Sequence, residues 1–226
     1  MADIPSPRSM YIATIGILSA LMAVLAYASI VVPTPLGSLD ASSVLIFAVA
    51  ILYGPEMGLI ITVIGQLVGK GLLITYAGLP AVYIPGVVAV RGIEAYVVGY
   101  LGRRFSSNRY SEPSAMVTGV IWETTGFVLA DLFLFSMIGG ILAGITAVIT
   151  GSIWTILDLI WVPLGIAAVY YTRAAFKANY LDEHLNLVKV PGHRGVFFLC
   201  FFIILISWGL IVLAGLTGLL WGPVLP

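Results

Sequence analysis

Arg91 and Glu94 stand three residues apart near the middle of an apolar stretch that holds almost no other charge, and Lys70, Glu123, Asp131 and Asp158 lie in the neighbouring stretches. A charge at bilayer depth is disfavoured unless it faces a partner or a polar cavity, so function is expected to gather in this small set. Arg91 and Glu94, at i and i+3 on a helix, either neutralise each other as an internal packing pair or mark the floor of a pocket. Gln66 and Lys70 lie one turn apart and share a face, with Lys70 either snorkelling to the interface or meeting a ligand carboxylate or phosphate. Glu123, Phe127 and Asp131 follow i, i+4, i+8 spacing, just after Trp122. Two acids about two turns apart either bracket a solute or bond to neighbouring helices. Trp154 and Asp158, read at α-helical spacing, put an aromatic face and an acid on one side with the acid deeper. Gln66, Lys70, Glu123, Asp131, Trp154 and Asp158 together offer stacking faces, donors and acceptors that suit a flat, polar heterocycle.

The elements that must position these groups are membrane helices. Of 226 residues, 61% are hydrophobic and only 9% charged, and the apolar runs are too long for the core helices of a soluble domain. Formal net charge is zero and no Lys/Arg-rich block occurs, so no nucleic-acid partner is expected. Cys200, the only cysteine, lies inside an apolar run and has no intrachain partner for a disulfide. Arg8, the following apolar run and Ala26-Tyr27-Ala28 resemble a signal peptide. The run 10–32 nevertheless has about the 20 residues that a spanning helix needs, and it is expected to be a retained first helix.

Turn residues divide the chain into apolar segments at 10–32, 39–53, 57–76, 81–101, 114–138, 141–171 and 195–220, an all-α polytopic bundle of seven helices. The second is short for a bilayer core of about 30 Å, and Pro33 and Pro35 keep it from starting earlier. Gly139-Gly140 is the expected turn within 114–171, with Gly151-Ser152 competing. Residues 1–173 are expected to form a six-helix core, 174–194 a connecting segment, and 195–226 an added seventh helix. With the N-terminus inside, Arg8, Arg103, Arg104, Arg109, Arg173, Lys177, Lys189 and Arg194 all fall on the cytoplasmic side. The expectation is a plasma-membrane protein with a cytoplasmic N-terminus and an external C-terminus. Tyr76 and Tyr83 flank an external loop as interfacial aromatics. His184 and His193 lie in the connecting segment without metal-ligand spacing, and no metal is expected.

Small residues recur at four-residue spacing, as Gly16/Ala20, Ser19/Ala23, Gly65/Gly69, Gly140/Gly144 and Gly218/Gly222, a pattern that lets helix backbones approach closely in lipid. On the first helix these residues either pack inside the bundle or form a ridge for another membrane subunit. Pro55 suits a first helical position and Glu56 beside it complements the helix N-terminus, which makes Gly54-Pro55 a cytoplasmic hairpin.

Gly37-Ser38-Leu39-Asp40, the apolar run to Tyr53, Gly54-Pro55-Glu56-Met57-Gly58 and a helix ending Gly65-Gln66-Leu67-Val68-Gly69-Lys70 form a unit. With Ile84-Pro85-Gly86, Gly99 and Arg103-Arg104 after it, this unit resembles the substrate-binding S components of energy-coupling factor (ECF) transporters, over residues from about 10 to 173. The resemblance implies a six-helix protein that captures a vitamin-like solute from outside. It implies delivery with a separate transmembrane coupling subunit and two ATPases. It also implies a docking surface of small residues on the first helix, onto which Gly16, Ser19, Ala20 and Ala23 fall loosely, and a lid formed by the connection 33–40. The chain begins Met1-Ala2-Asp3, without the N-terminal histidine of the nickel and cobalt branch, so metal uptake is not expected.

No cofactor and no catalysis are expected. Gly69-Lys70-Gly71 lacks both the earlier glycine and the hydroxyl of a phosphate-binding loop. Neither histidine lies in a span to serve a metal or a serine nucleophile near Ser136 or Ser152. The competing function is an autonomous carrier that couples a small polar solute to protons through its buried acids, although the internal repeat such a carrier would favour is not visible.

Overall fold

A computed structural model describes residues 7–28, 30–31, 38–39, 41–77, 81, 83–106, 108, 110–175 and 193–221. Helix α1 spans Pro7–Tyr27, α2 Ser42–Tyr53, α3 Pro55–Ala77, α4 Tyr83–Arg104, α5 Ser111–Thr150, α6 Trp161–Ala175 and α7 His193–Trp221, and a 3-10 helix occupies Ser152–Ile160 between α5 and α6. Among the described residues five apolar helical stretches are long enough to cross a bilayer, and Ser42–Tyr53 is a shorter apolar helix. The architecture is an all-α polytopic bundle.

The first helix stops short of residue 32. Ile30–Val31 pairs antiparallel with Ser38–Leu39, since β-branched Ile30 and Val31 suit an extended strand and Pro33 further disfavours helix before it. Helix α2 is short because it does not face lipid, being buried along almost its whole length from Ser42 to Leu52. Its Phe47 and Ile46 form one core with Met57, Val98, Met116 and Val162. Gly54, at φ 91°, ends α2 in a conformation that favours glycine. Pro55 then opens α3 with Glu56 in its first turn, as the sequence predicts. Arg103 Nη2 donates to the Tyr53 carbonyl at 2.8 Å, satisfying an orphan carbonyl at the α2 C-terminus. Arg173 meets Glu112 at 2.8 Å, so the ends of α2, α4 and α6 and the starts of α3 and α5 share one end of the bundle.

The stretch 141–171 is not the single helix that hydropathy suggests. The long helix α5 breaks at Gly139 and Gly140, the latter at φ 74°, where a β-carbon would be strained. The chain turns back so closely that a β-carbon on Gly144 would collide with Leu132 O and Ser136 Oγ. A second interruption follows at Gly151, after which nine residues run as the 3-10 helix before α6 begins. Both glycine sites therefore break the chain, and the returning arm consists of three pieces.

Helix α1 packs on α3 through Gly65 and Gly69, whose missing side chains admit Met22 and the Ala23 carbonyl. Helix α7 is more than an appended span. Ile204 and Cys200 join a core with Ile60, Val63 and Val88 of α3 and α4, and Ile211 and Ala214 join Val90, Phe127 and Leu134 of α4 and α5. Only α7's opposite side, with Phe198, Phe202, Ile206 and Leu213, faces outward. Most of the connecting segment, including His184, Lys177 and Lys189, lies outside the described residues, as do Arg109 and residues 32–37 and 40 of the expected lid.

Candidate functional site

Polar residues of four elements, α2, α4, α5 and the 3-10 helix, converge on Arg91, which lies within α4 and is buried. Its Nη1 donates to Ser43 Oγ at 2.8 Å and to Glu94 Oε2 at 3.1 Å. Its Nη2 donates to Asp158 Oδ2 at 3.1 Å. Glu123 Oε1 lies 2.8 Å from the same Nη2, an ion pair whose angles fall outside hydrogen-bond geometry. Ser43 Oγ also donates to Asp158 Oδ2 at 3.0 Å, and the guanidinium stands 5.8 Å over the ring of Phe127, a cation–π distance. One guanidinium thus serves three carboxyl groups brought by α4, α5 and the 3-10 helix. Burying such a set is tolerable only because each charge has a partner.

Gln66 Nε2 donates to Ser42 Oγ at 2.8 Å, which ties α3 to the start of α2 beside Ser43. Lys70 follows one turn along α3 and is buried rather than snorkelling. On α5, two turns beyond Glu123, Asp131 Oδ2 accepts from Ser152 Oγ at 2.7 Å. These groups form two tiers. Arg91, Glu94, Glu123, Asp158, Ser42, Ser43 and Gln66 lie at one level of the bundle, and Lys70, Asp131 and Ser152 lie farther along it, toward the end where α3 closes and α4 opens. Gln66 Oε1, Asp131 Oδ1 and Glu123 Oε2 are buried and accept no hydrogen bond among the described residues. Such acceptors cost free energy until something donates to them.

Several sequence expectations meet a different geometry. Arg91, Glu123 and Asp158 close on one another, so that Glu123 meets a neighbouring helix, one of the two alternatives its spacing left. Trp154 and Asp158 do not share a side: Asp158 is 2% exposed, Trp154 is 37% exposed, and the indole Nε1 donates to Ile149 O at 3.0 Å. The reason is the helix type. At three residues per turn, four residues advance about 120° past a full turn, instead of the roughly 40° of an α-helix. Glu123, Phe127 and Asp131 do share a buried face, as their spacing predicts.

The first-helix residues divide. Ser19 and Ala23 are buried, and the Ala23 carbonyl would lie 2.5 Å from a β-carbon on Gly69. Gly16 and Ala20 are exposed, and a β-carbon on Gly16 would meet nothing within 4 Å. Sequence reasoning missed Ser42, Ser43 and Ser152. The signal available for Ser152 was the three-residue spacing Ser152, Thr155, Asp158, which an α-helical reading passes over.

A family model described as ECF-type riboflavin transporter, S component, matches residues 9–173. No curated protein and no solved structure matches the chain.

Proposed function

The chain belongs to the S components of ECF-type riboflavin transporters, and from that premise we propose that it captures riboflavin or a close relative on the floor built around Arg91. S components are the substrate-binding subunits of transporters rather than enzymes, and this one is a multi-pass membrane protein. The observation that carries the ligand reading is the pair of buried oxygens, Gln66 Oε1 and Asp131 Oδ1, that no described residue donates to. A flavin brings a flat ring that fits an apolar bundle, a ring N–H, and a chain of hydroxyls, so it supplies the missing donors while its carbonyls accept from Lys70. Arg91, Glu123, Phe127 and Asp158 act as a preorganised floor that holds the solute-facing groups in place. Trp154 lies on the outer side and is left out of the site.

Capture from outside requires the Lys70 and Asp131 end to be external. The cluster Arg103, Arg104 and Arg173 at the opposite end supports a cytoplasmic N-terminus by the excess of positive residues on that side, and an external C-terminus after α7. Delivery is by a transmembrane coupling subunit and two ATPases, since the chain lacks a phosphate-binding loop. Gly16 and Ala20, open on α1 between Ile12, Ile17 and Val24, form the docking strip, whereas Ser19 and Ala23 serve the α1–α3 contact. The test is titration of purified protein with riboflavin, read by flavin fluorescence. Saturable quenching at one flavin per chain supports the reading, and unchanged flavin fluorescence at micromolar protein rejects it.

A further inference from the structure

The 3-10 helix Ser152–Ile160 reads Ser-Ile-Trp-Thr-Ile-Leu-Asp-Leu-Ile, with polar residues at every third position and apolar residues between them. Ser152 and Asp158 are buried, Thr155 is intermediate, and the other six residues are all exposed. Three residues per turn stacks Ser152, Thr155 and Asp158 in one column. In an α-helix the six residues from Ser152 to Asp158 would turn through about 600° and leave the two some 120° apart.

Runs of 3-10 helix longer than about 3–4 residues are uncommon, because their hydrogen bonds are poorer than those of an α-helix. Nine residues in this form need to be held, and both ends of the column are anchored. Ser152 Oγ donates to Asp131 Oδ2 at 2.7 Å, and Asp158 Oδ2 accepts from Arg91 at 3.1 Å and Ser43 at 3.0 Å. Between them Thr155 Oγ1 donates to the Ser152 carbonyl at 2.7 Å. Relaxation to an α-helix would shorten the six-residue interval by about 3 Å, from a rise of about 2.0 to 1.5 Å per residue. It would also rotate one anchor out of reach, so both contacts survive only in the tighter helix.

We propose that Ser152, held by Asp131, is a positioning residue that locks this segment in three-residue register against the Asp158 anchor on Arg91, and so keeps Trp154 turned away from the solute. Asp131 then has two duties, one oxygen fixing the register and the other facing the solute. The consequence for solute binding rests on the functional reading above, whereas the register itself does not. If Ser152 is lost, Asp158 stays on Arg91 and the segment relaxes toward an α-helix. Position 154, four residues before Asp158, then turns inward.

The test uses the full-length protein with Cys200→Ala and a nitroxide on Trp154→Cys or, as control, on Leu157→Cys, and reads collision with oxygen in lipid nanodiscs. Both labels should be oxygen-accessible in the otherwise native chain. Adding Ser152→Ala or Asp131→Leu, which removes the acceptor, should remove accessibility at 154 and leave it at 157, and Ser152→Thr, which keeps the hydroxyl, should retain the native profile. Riboflavin affinity should fall about tenfold in Ser152→Ala, the scale of one buried hydrogen bond, and stay near native in Ser152→Thr. Unchanged accessibility at 154 in folded Ser152→Ala and Asp131→Leu overturns the proposal. Absence of riboflavin binding to the native chain overturns the ligand reading instead, and the label profile still decides the register.

Discussion

Asp158 and Arg91, 67 residues apart in sequence, meet at 3.1 Å inside the bundle. Their contact joins the returning arm after Gly140 to the middle of α4. The same guanidinium holds Glu94 and Glu123, so a single cation organises the polar floor of a helical membrane protein. Removing it is a different perturbation from removing any one acid.

Arg91→Met should therefore be the most destabilising substitution in the floor. It leaves three buried carboxyl groups without their cation, and breaking a buried pair by deleting one partner costs about 3–5 kcal/mol. Thermal unfolding in detergent should show a large loss for Arg91→Met and a smaller one for Asp158→Asn, which keeps an oxygen for Arg91 and Ser43. Equal losses would mean that Arg91 does not organise the cluster.

Gln66→Leu and Asp131→Leu remove the buried acceptors assigned to the solute. Each should weaken riboflavin binding by about 1–2 kcal/mol, roughly five- to thirtyfold, in fluorescence titrations. Trp154→Ala, on the outer side of the 3-10 helix, should leave affinity within about twofold. A large loss for Trp154→Ala beside native affinity for Gln66→Leu would move the site to the other face of that helix.

On α1 the two small-residue pairs should separate by phenotype. Gly16→Leu and Ala20→Leu fill an open surface, so they should leave riboflavin binding intact and abolish co-purification with the coupling subunit and ATPases. Ala23→Leu should instead cost about 1–3 kcal/mol of stability, the scale of overpacking, because Ala23 is closed against Gly69. Normal assembly of both Gly16→Leu and Ala20→Leu would remove the docking assignment.

Helix α7 lies beyond the residues matched by the family, yet Ile204 is buried and a β-carbon on Gly92 would lie 2.7 Å from its Cδ1. Ile204→Ala should lower stability by about 2 kcal/mol or more, the lower end for truncating a buried isoleucine. Lipid-facing Ile206→Ala should change it little. Indistinguishable unfolding of the two variants would show that α7 is only an appended anchor.

The parts of this fold set by local chemistry were legible. Long apolar runs, Gly54-Pro55 and Gly139-Gly140 marked helices and turns because hydropathy and backbone freedom act over a few residues. Arg91, Glu94, Glu123, Asp131 and Asp158 stood out because charge is costly in an apolar bundle. Their partners were not legible, since Ser43 reaches Asp158 across 115 residues of chain, and no local pattern states which helix faces which. The error over Trp154 has a narrower cause. Ser152, Thr155 and Asp158 repeat every three residues, and an α-helical period applied to that segment turns Trp154 to the wrong side. The division of α1 into an open pair and a closed pair likewise depends on where α3 lies.

Native mass spectrometry of freshly purified protein, released from detergent after incubation with riboflavin, tests the central claim most directly. The account predicts a single adduct of riboflavin mass on the native chain, and its loss or marked weakening in Asp158→Asn, which disturbs the Arg91 floor. No adduct on the native chain, or an equally strong one in Arg91→Met and Asp158→Asn chains that remain folded, would contradict it.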